Sequence, residues 1–281
     1  MATTAQLRNY TPRGGGPSRP QSNTLLARLS RSAWTYRLLV LALVGIVWET
    51  YARVADLLLI PTFTDTVVSV VRLVADPVTW GAFLVSNQAL VIGFFISVVV
   101  GISLGLGAAR FSRIEGFVDP YLSILLVTPM AALIPILLMS MGIEITARIF
   151  LVIVFTIPVI IVNTRTGVRQ VDPNLIEMAT SFGATEREIW TKILLPGSLP
   201  AVMTGLRLGL GRGVTGMVII ELLMVAVGIG GLILKFQGQF ASDMLYGVVV
   251  LVVVEALLLV SAVRAIERRV APWASATVLR E

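Results

Sequence analysis

From Val78 to Ala109 the chain runs for 32 residues without one acidic or basic side chain. In hydrocarbon every backbone N–H and C=O needs an internal partner, so such a run is either an α-helix or one strand of a closed barrel. A barrel strand takes only about 9–11 residues and alternates apolar with polar positions. The run here is far longer, and its apolar residues are continuous. Composition agrees: with 56% hydrophobic and 14% charged residues, the chain is too apolar for an ordinary soluble domain. The expected class is an all-α integral membrane protein.

Six spans follow from the same reading. The first is expected over Trp34–Ala55, flanked by the interfacial aromatics Trp34, Tyr36, Trp48 and Tyr51, with Glu49 and Arg53 four apart near its outer end. The second lies within Val78–Ala109, where Gly93, Ser97, Gly101 and Gly105 recur every four residues, a stripe suited to close helix packing. The third covers Tyr121–Met141 with kinks at Pro129 and Pro135. The fourth is Ala147–Asn163, the fifth Leu199–Val227 and the sixth Met244–Val263.

Charge orients these spans. With the N-terminus inside, 16 of the 22 Lys and Arg fall in cytoplasmic segments, which is the positive-inside pattern. Arg53, Arg72, Arg148 and Lys235 fall outside, and Arg207 and Arg212 within the fifth span. Both termini are therefore expected in the cytoplasm. Residues 1–33 are rich in Arg, Pro, Gly and Ser and lack any acid. They read as a disordered basic cytoplasmic tail that anchors the first span rather than binding nucleic acid, and not as a cleaved signal peptide. Residues 34–267 form the expected transmembrane domain and 268–281 a cytoplasmic C-terminal tail.

The longest polar interruption of the second half is Asp172–Pro196. Asp172 before Pro173 marks a helix start, Gly183 a left-handed stop, and Thr185 with Glu188 a capping box that starts a second helix. Pro196 is expected to end it. Leu175, Met178, Ala179 and Phe182 share one face of the first helix. Spacing alone leaves two readings open, a connector between spans or a docking element.

Residue identity bears on that choice. Glu177, Ala179, Gly183, Ile193, Leu195 and Pro196 match in type and spacing the "EAA" loop of inner-membrane permeases of binding-protein-dependent ABC importers, with Met178 where alanine is usual. Gly205–Leu223 and Arg264–Trp273 resemble the fifth span and tail of the nitrate, sulfonate and taurine branch. The resemblance covers most of residues 37–273. It implies the type I importer permease fold, with a cytoplasmic coupling helix between the fourth and fifth spans. Leu175, Glu177, Met178, Ala179, Phe182 and Gly183 would then meet a separate ATPase. It also implies two ATPase copies, a second and identical permease subunit, an extracytoplasmic solute-binding protein, a bacterial inner-membrane location with lipid contacts, and no nucleic acid.

Chemistry of the chain's own is limited. Without Cys or His, thiolate and imidazole metal sites, Ser-His-Asp triads and disulfides are excluded. Neither lysine follows the glycines of a Walker A sequence, so ATP hydrolysis is expected on a partner. No cofactor or metal is expected. Gly211-x-Gly213-x-x-Gly216 lies inside a span with no strand before it and reads as packing glycine. Arg212, Glu221 and Glu255 remain as candidates for the translocation path, because charge within a span is costly; Thr128, Met130, Met139 and Asn163 are further pore-lining candidates. For Arg207 and Arg212 the alternative is a salt bridge or a snorkelling side chain. At the level of function, the alternative is a proton-coupled secondary transporter using the intramembrane carboxylates, and a third reading is a membrane scaffold.

Overall fold

The computed structural model describes residues 33–273 apart from 56 and 224–226; the expected basic N-terminal tail lies outside the described residues, as do residues 274–281. The described residues form α1 Ala33–Ala55, α2 Phe63–Ala75, α3 Pro77–Arg110 and α4 Ser112–Val127. A short 3-10 turn, Met130–Leu133, leads to α5 Ile134–Met141 and α6 Ile145–Arg169. Then come α7 Pro173–Ser181, α8 Glu186–Ile189, a π-turn Trp190–Leu194, α9 Leu195–Leu223, α10 Gly228–Gly238 and α11 Ser242–Val270. Among the described residues five helices are long and apolar enough to cross a membrane, and α4 with Met130–Met141, bent by 96° at their break, counts as a sixth when the pair is taken as one span.

Residues through Tyr51 form a unit of their own. It is an apolar helix whose Leu38, Leu39, Leu43 and Ile46 are all exposed, the composition of a segment that meets lipid.

From Ala52 onward, α6 is the centre, packed between α3 and α9. The approach is close because small residues face it from both sides. A Cβ added at Gly93 would lie 2.8 Å from Val152, at Gly101 2.8 Å from Ile160, and at Gly105 2.6 Å from Thr164. From α9, Gly205 abuts Asn163, Gly209 abuts Ile160, Gly213 abuts Thr156 and Gly216 abuts Phe155, all at 2.8–3.0 Å. The expected stripe on α3 is thus one half of a two-sided arrangement. Two glycines of the GxGxxG run serve it, while Gly211 has no neighbour within 4 Å. Gly105→Leu is expected to cost about 1–3 kcal/mol through overpacking and to lower the melting temperature of the purified protein. Gly81→Leu, where nothing lies within 4 Å, is the control and should be near neutral.

The third span breaks where its sequence demands. Thr128 precedes a proline, which disfavours the helical region, and adopts φ −65, ψ 130. Pro129 follows in extended conformation. Pro135 causes no second break, since it falls in the first turn of α5, where a missing N–H costs nothing.

Other expectations need correction. Pro196 does not end a helix: Glu186–Leu223 runs on continuously. The π-turn explains it. Leu195 donates its N–H to the Trp190 carbonyl five residues back, and this wider turn accommodates a proline that a regular helix would reject. Arg148 is not in an outer loop, because α6 begins at Ile145 and buries it. Helices α2 and α10 were not expected at all. The first packs on α11, where Ser69 donates to Asp243 Oδ2 at 2.7 Å.

Candidate functional site

The polar interruption folds as its caps dictate. Asp172 accepts from Asn174 N at 2.9 Å, Pro173 takes the first helical position, and the Thr185–Glu188 capping box is complete. Between the helices, Ala184 N donates to Ala179 O at 3.0 Å and Gly183 N to Thr180 O at 2.9 Å. That pair of bonds is a Schellman stop. Gly183, at φ +80, is the residue that allows it, since a Cβ there would strain the backbone.

The two faces of the element differ in what they touch. Ile176, Ile189, Trp190 and Ile193 pack inward on Val168, Val171 and Leu194 with Leu106 and Ala109. Arg110, from the end of α3, pairs with Glu186 at 2.7 Å and lies over the Trp190 ring at 5.3 Å. The opposite face is bare: Leu175 is 45% exposed, Met178 52% and Phe182 86%. Ala179 is partly covered, Glu177 and Gly183 are exposed, and Glu177 has no side-chain partner among the described residues. The helix pair is thus clamped on one side and leaves an apolar face uncovered on the other.

The three charged candidates lie in different surroundings. Glu221 is fully buried. Its two oxygens accept from Ser86 Oγ at 2.7 and 2.8 Å, Oε2 also accepts from Gly230 N at 3.1 Å, and Arg148 Nη1 stands 3.6 Å from Oε1. Ser86 in turn accepts from Ile229 N at 2.9 Å. Glu221 and Ser86 therefore cap the start of α10, which has no cap of its own. Gly228 and Gly230 permit this approach, because a Cβ at either would lie 2.3–2.5 Å from Ser86 or Glu221 atoms. The cluster ties α3, α6, α9 and α10 together. Ser86 and Arg148 are members that sequence reasoning missed, and only an uncompensated Glu in an apolar run hinted that partners were needed.

Glu255 accepts from Asn87 Nδ2 through Oε1, and its buried Oε2 has no partner among the described residues. It borders an apolar cavity of about 360 Å³ with Trp80, Phe83, Leu251 and Leu258. Arg212 is exposed on α9 and borders a different cavity, of about 390 Å³, at the break between α4 and α5. Thr128 and Met130 line that same cavity. Asn163 instead donates to Val159 O at 2.8 Å within α6, and Met139 is 91% exposed. Arg207, the other arginine of α9, is paired with Glu267 and Thr204.

A multi-pass helical chain with a glycine-packed core, one broken span and a clamped helix pair at the end of two spans has the layout of a transport permease. The chain belongs to the family of binding-protein-dependent transport system inner membrane components, whose family model matches residues 97–275. Among its relatives is the taurine transport system permease protein TauC of Escherichia coli K12, 29% identical, with 70% of this chain and 72% of that one covered. The putative aliphatic sulfonates transport permease protein SsuC of the same organism is 31% identical over 76% of this chain and 82% of its own. In fold, the chain matches one from the inward-facing conformations of the MetNI methionine ABC transporter with a TM-score of 0.53, at 23% identity, covering 68% of this chain and 94% of the other. It is a type I ABC importer permease fold.

Proposed function

We propose that this chain is the membrane subunit of an ATP-driven importer for a small organic anion of the sulfonate kind, received from an extracytoplasmic binding protein. The bare face of Leu175, Met178 and Phe182 on a helix pair clamped to α3 and α6 is the observation that favours it. A separate ATPase docks there through Leu175, Glu177, Met178, Ala179, Phe182 and Gly183, and its closing moves α6 and α9 through the inner face. Two permease copies, identical in sequence, enclose the path and present two such elements to two ATPases. Both termini and the coupling element lie in the cytoplasm, in keeping with the distribution of Lys and Arg.

Within this reading the path runs along the exposed face of α9 that bears Arg212. Glu221 contributes by fixing the helices around it, and Glu255, on α11, is held by Asn87 of α3 and borders a separate apolar cavity.

The test separates an ATP-driven importer from a proton-coupled carrier. Uptake of radiolabelled taurine or ethanesulfonate by energised vesicles is expected to persist when an ionophore collapses the proton gradient and ATP is held constant. Uptake that stops with the gradient would contradict the reading and favour the carrier. Absence of any solute-stimulated ATP hydrolysis would favour a scaffold.

A further inference from the structure

Three arginines within the central helices have carboxylate partners. Arg148 stands by Glu221, Arg165 is bound to Glu115 and Asp119, and Arg207 to Glu267. Arg212 is different. It lies about three turns before the end of α9 at Leu223, and no carboxylate or hydrogen-bond acceptor meets it among the described residues. An unpaired guanidinium at that depth is costly in hydrocarbon and persists where water or an anion reaches it.

A second observation concerns the same place. The break at Thr128–Pro129, with its 96° turn, opens onto the cavity that Arg212 borders. Non-helical backbone at membrane depth is tolerated where it is enclosed by protein or lines a wet cavity. The walls are otherwise mostly apolar: Met130, Phe155 and Pro158 line the cavity together with Arg212, Thr128 and Thr215. The Thr215 hydroxyl donates to Gly211 O at 3.0 Å, which leaves its oxygen's lone pairs and the guanidinium's five donors to set the polarity.

We propose that this cavity is an anion-selecting station on the translocation path, in which Arg212 binds a small oxyanion and the apolar walls take its short carbon portion. This rests on the permease reading above. A planar fork of donors suits the paired oxygens of a carboxylate, nitrate or sulfonate. The same chemistry would hold a lipid phosphate, but the headgroup layer lies at span ends rather than at the depth of Arg212. A cationic solute is repelled here, so Arg212 discriminates by charge.

The absence of cysteine from the chain makes a clean experiment available. In the assembled importer in vesicles, Thr215→Cys is treated with an anionic methanethiosulfonate and with its cationic trimethylammonium counterpart, each normalised to its rate with a free thiol. The anionic reagent is expected to react at least tenfold faster. Arg212→Gln should remove the preference, Arg212→Lys should retain it, and millimolar methanesulfonate should slow the reaction. No modification by either reagent, or a preference that Arg212→Gln leaves intact, would overturn the proposal. So would a preference that emerges only after phospholipid is exchanged for a sugar-headgroup detergent, which assigns the guanidinium to lipid phosphate. Co-purification of an ATPase, followed in parallel, reports on the permease reading independently of these rates.

Discussion

Gly183→Arg is expected to leave membrane insertion and yield unchanged and to abolish both ATPase co-purification and ATP-driven uptake. The separation of effects follows from local geometry. Gly183 closes α7 at φ +80 with nothing within 4 Å of where its side chain would begin. A non-glycine residue there costs about 1–2 kcal/mol of backbone strain, modest against total stabilities of about 5–15 kcal/mol. An arginine projecting from that open position, however, stands beside the Phe182 side chain in the face that must enter a groove. Phe182→Ala tests the same surface without strain. Truncating an aromatic anchor of an interface costs about 2 kcal/mol or more, so its ATPase should bind about 30-fold more weakly. Pull-down of tagged permease from membranes, with quantified ATPase and a surface-exposed control such as Arg187→Ala, reads both.

Glu221→Ala should have the largest effect on stability. It would strand Arg148, Ser86 and Gly230 N in a buried pocket. Removing one partner of a buried charged cluster typically costs about 3–5 kcal/mol. The expected result is loss of most folded protein in detergent, read as a collapsed size-exclusion peak and a melting temperature lowered by many degrees. Glu221→Gln keeps an acceptor for Gly230 N and should recover part of the loss. Ser86→Ala, which removes the acceptor for Ile229 N, should cost about 1–3 kcal/mol. A Glu221→Ala protein that melts like wild type would contradict the locking role and return Glu221 to the candidates for the path.

Sequence and structure agree where the rule is local. The caps at Asp172, Gly183 and Thr185 depend on residues within five positions of one another, and each forms as its residue type requires. The small-residue stripe on α3 was visible because helical period and residue size suffice to define it. What could not be read depends on residues far apart. Ser86 and Glu221 are 135 positions apart, and neither helix reveals that the other, with α10, will enclose it. Arg148, one residue inside the expected start of the fourth span and counted with the outer charges, lies within α6, and only its buried partner explains its place there. Pro196 misled for a similar reason: its effect depends on a π-turn, which has no signature in composition. Arg212 was legible as a charge within a span, but its lack of a partner, and the cavity it shares with the break at Pro129, appear only in three dimensions.

In the proposed function the chain takes mechanical work from an ATPase through the bare face of α7. Phe182→Cys, in a chain otherwise free of cysteine, can be tested directly with a short photoreactive maleimide in sealed membrane vesicles of known orientation. The expected product is a single adduct to a nucleotide-binding subunit, formed from the cytoplasmic side and altered in yield when ATP is trapped. Labelling from the outer side, or adducts confined to lipid with the nucleotide-binding subunit present, would contradict it.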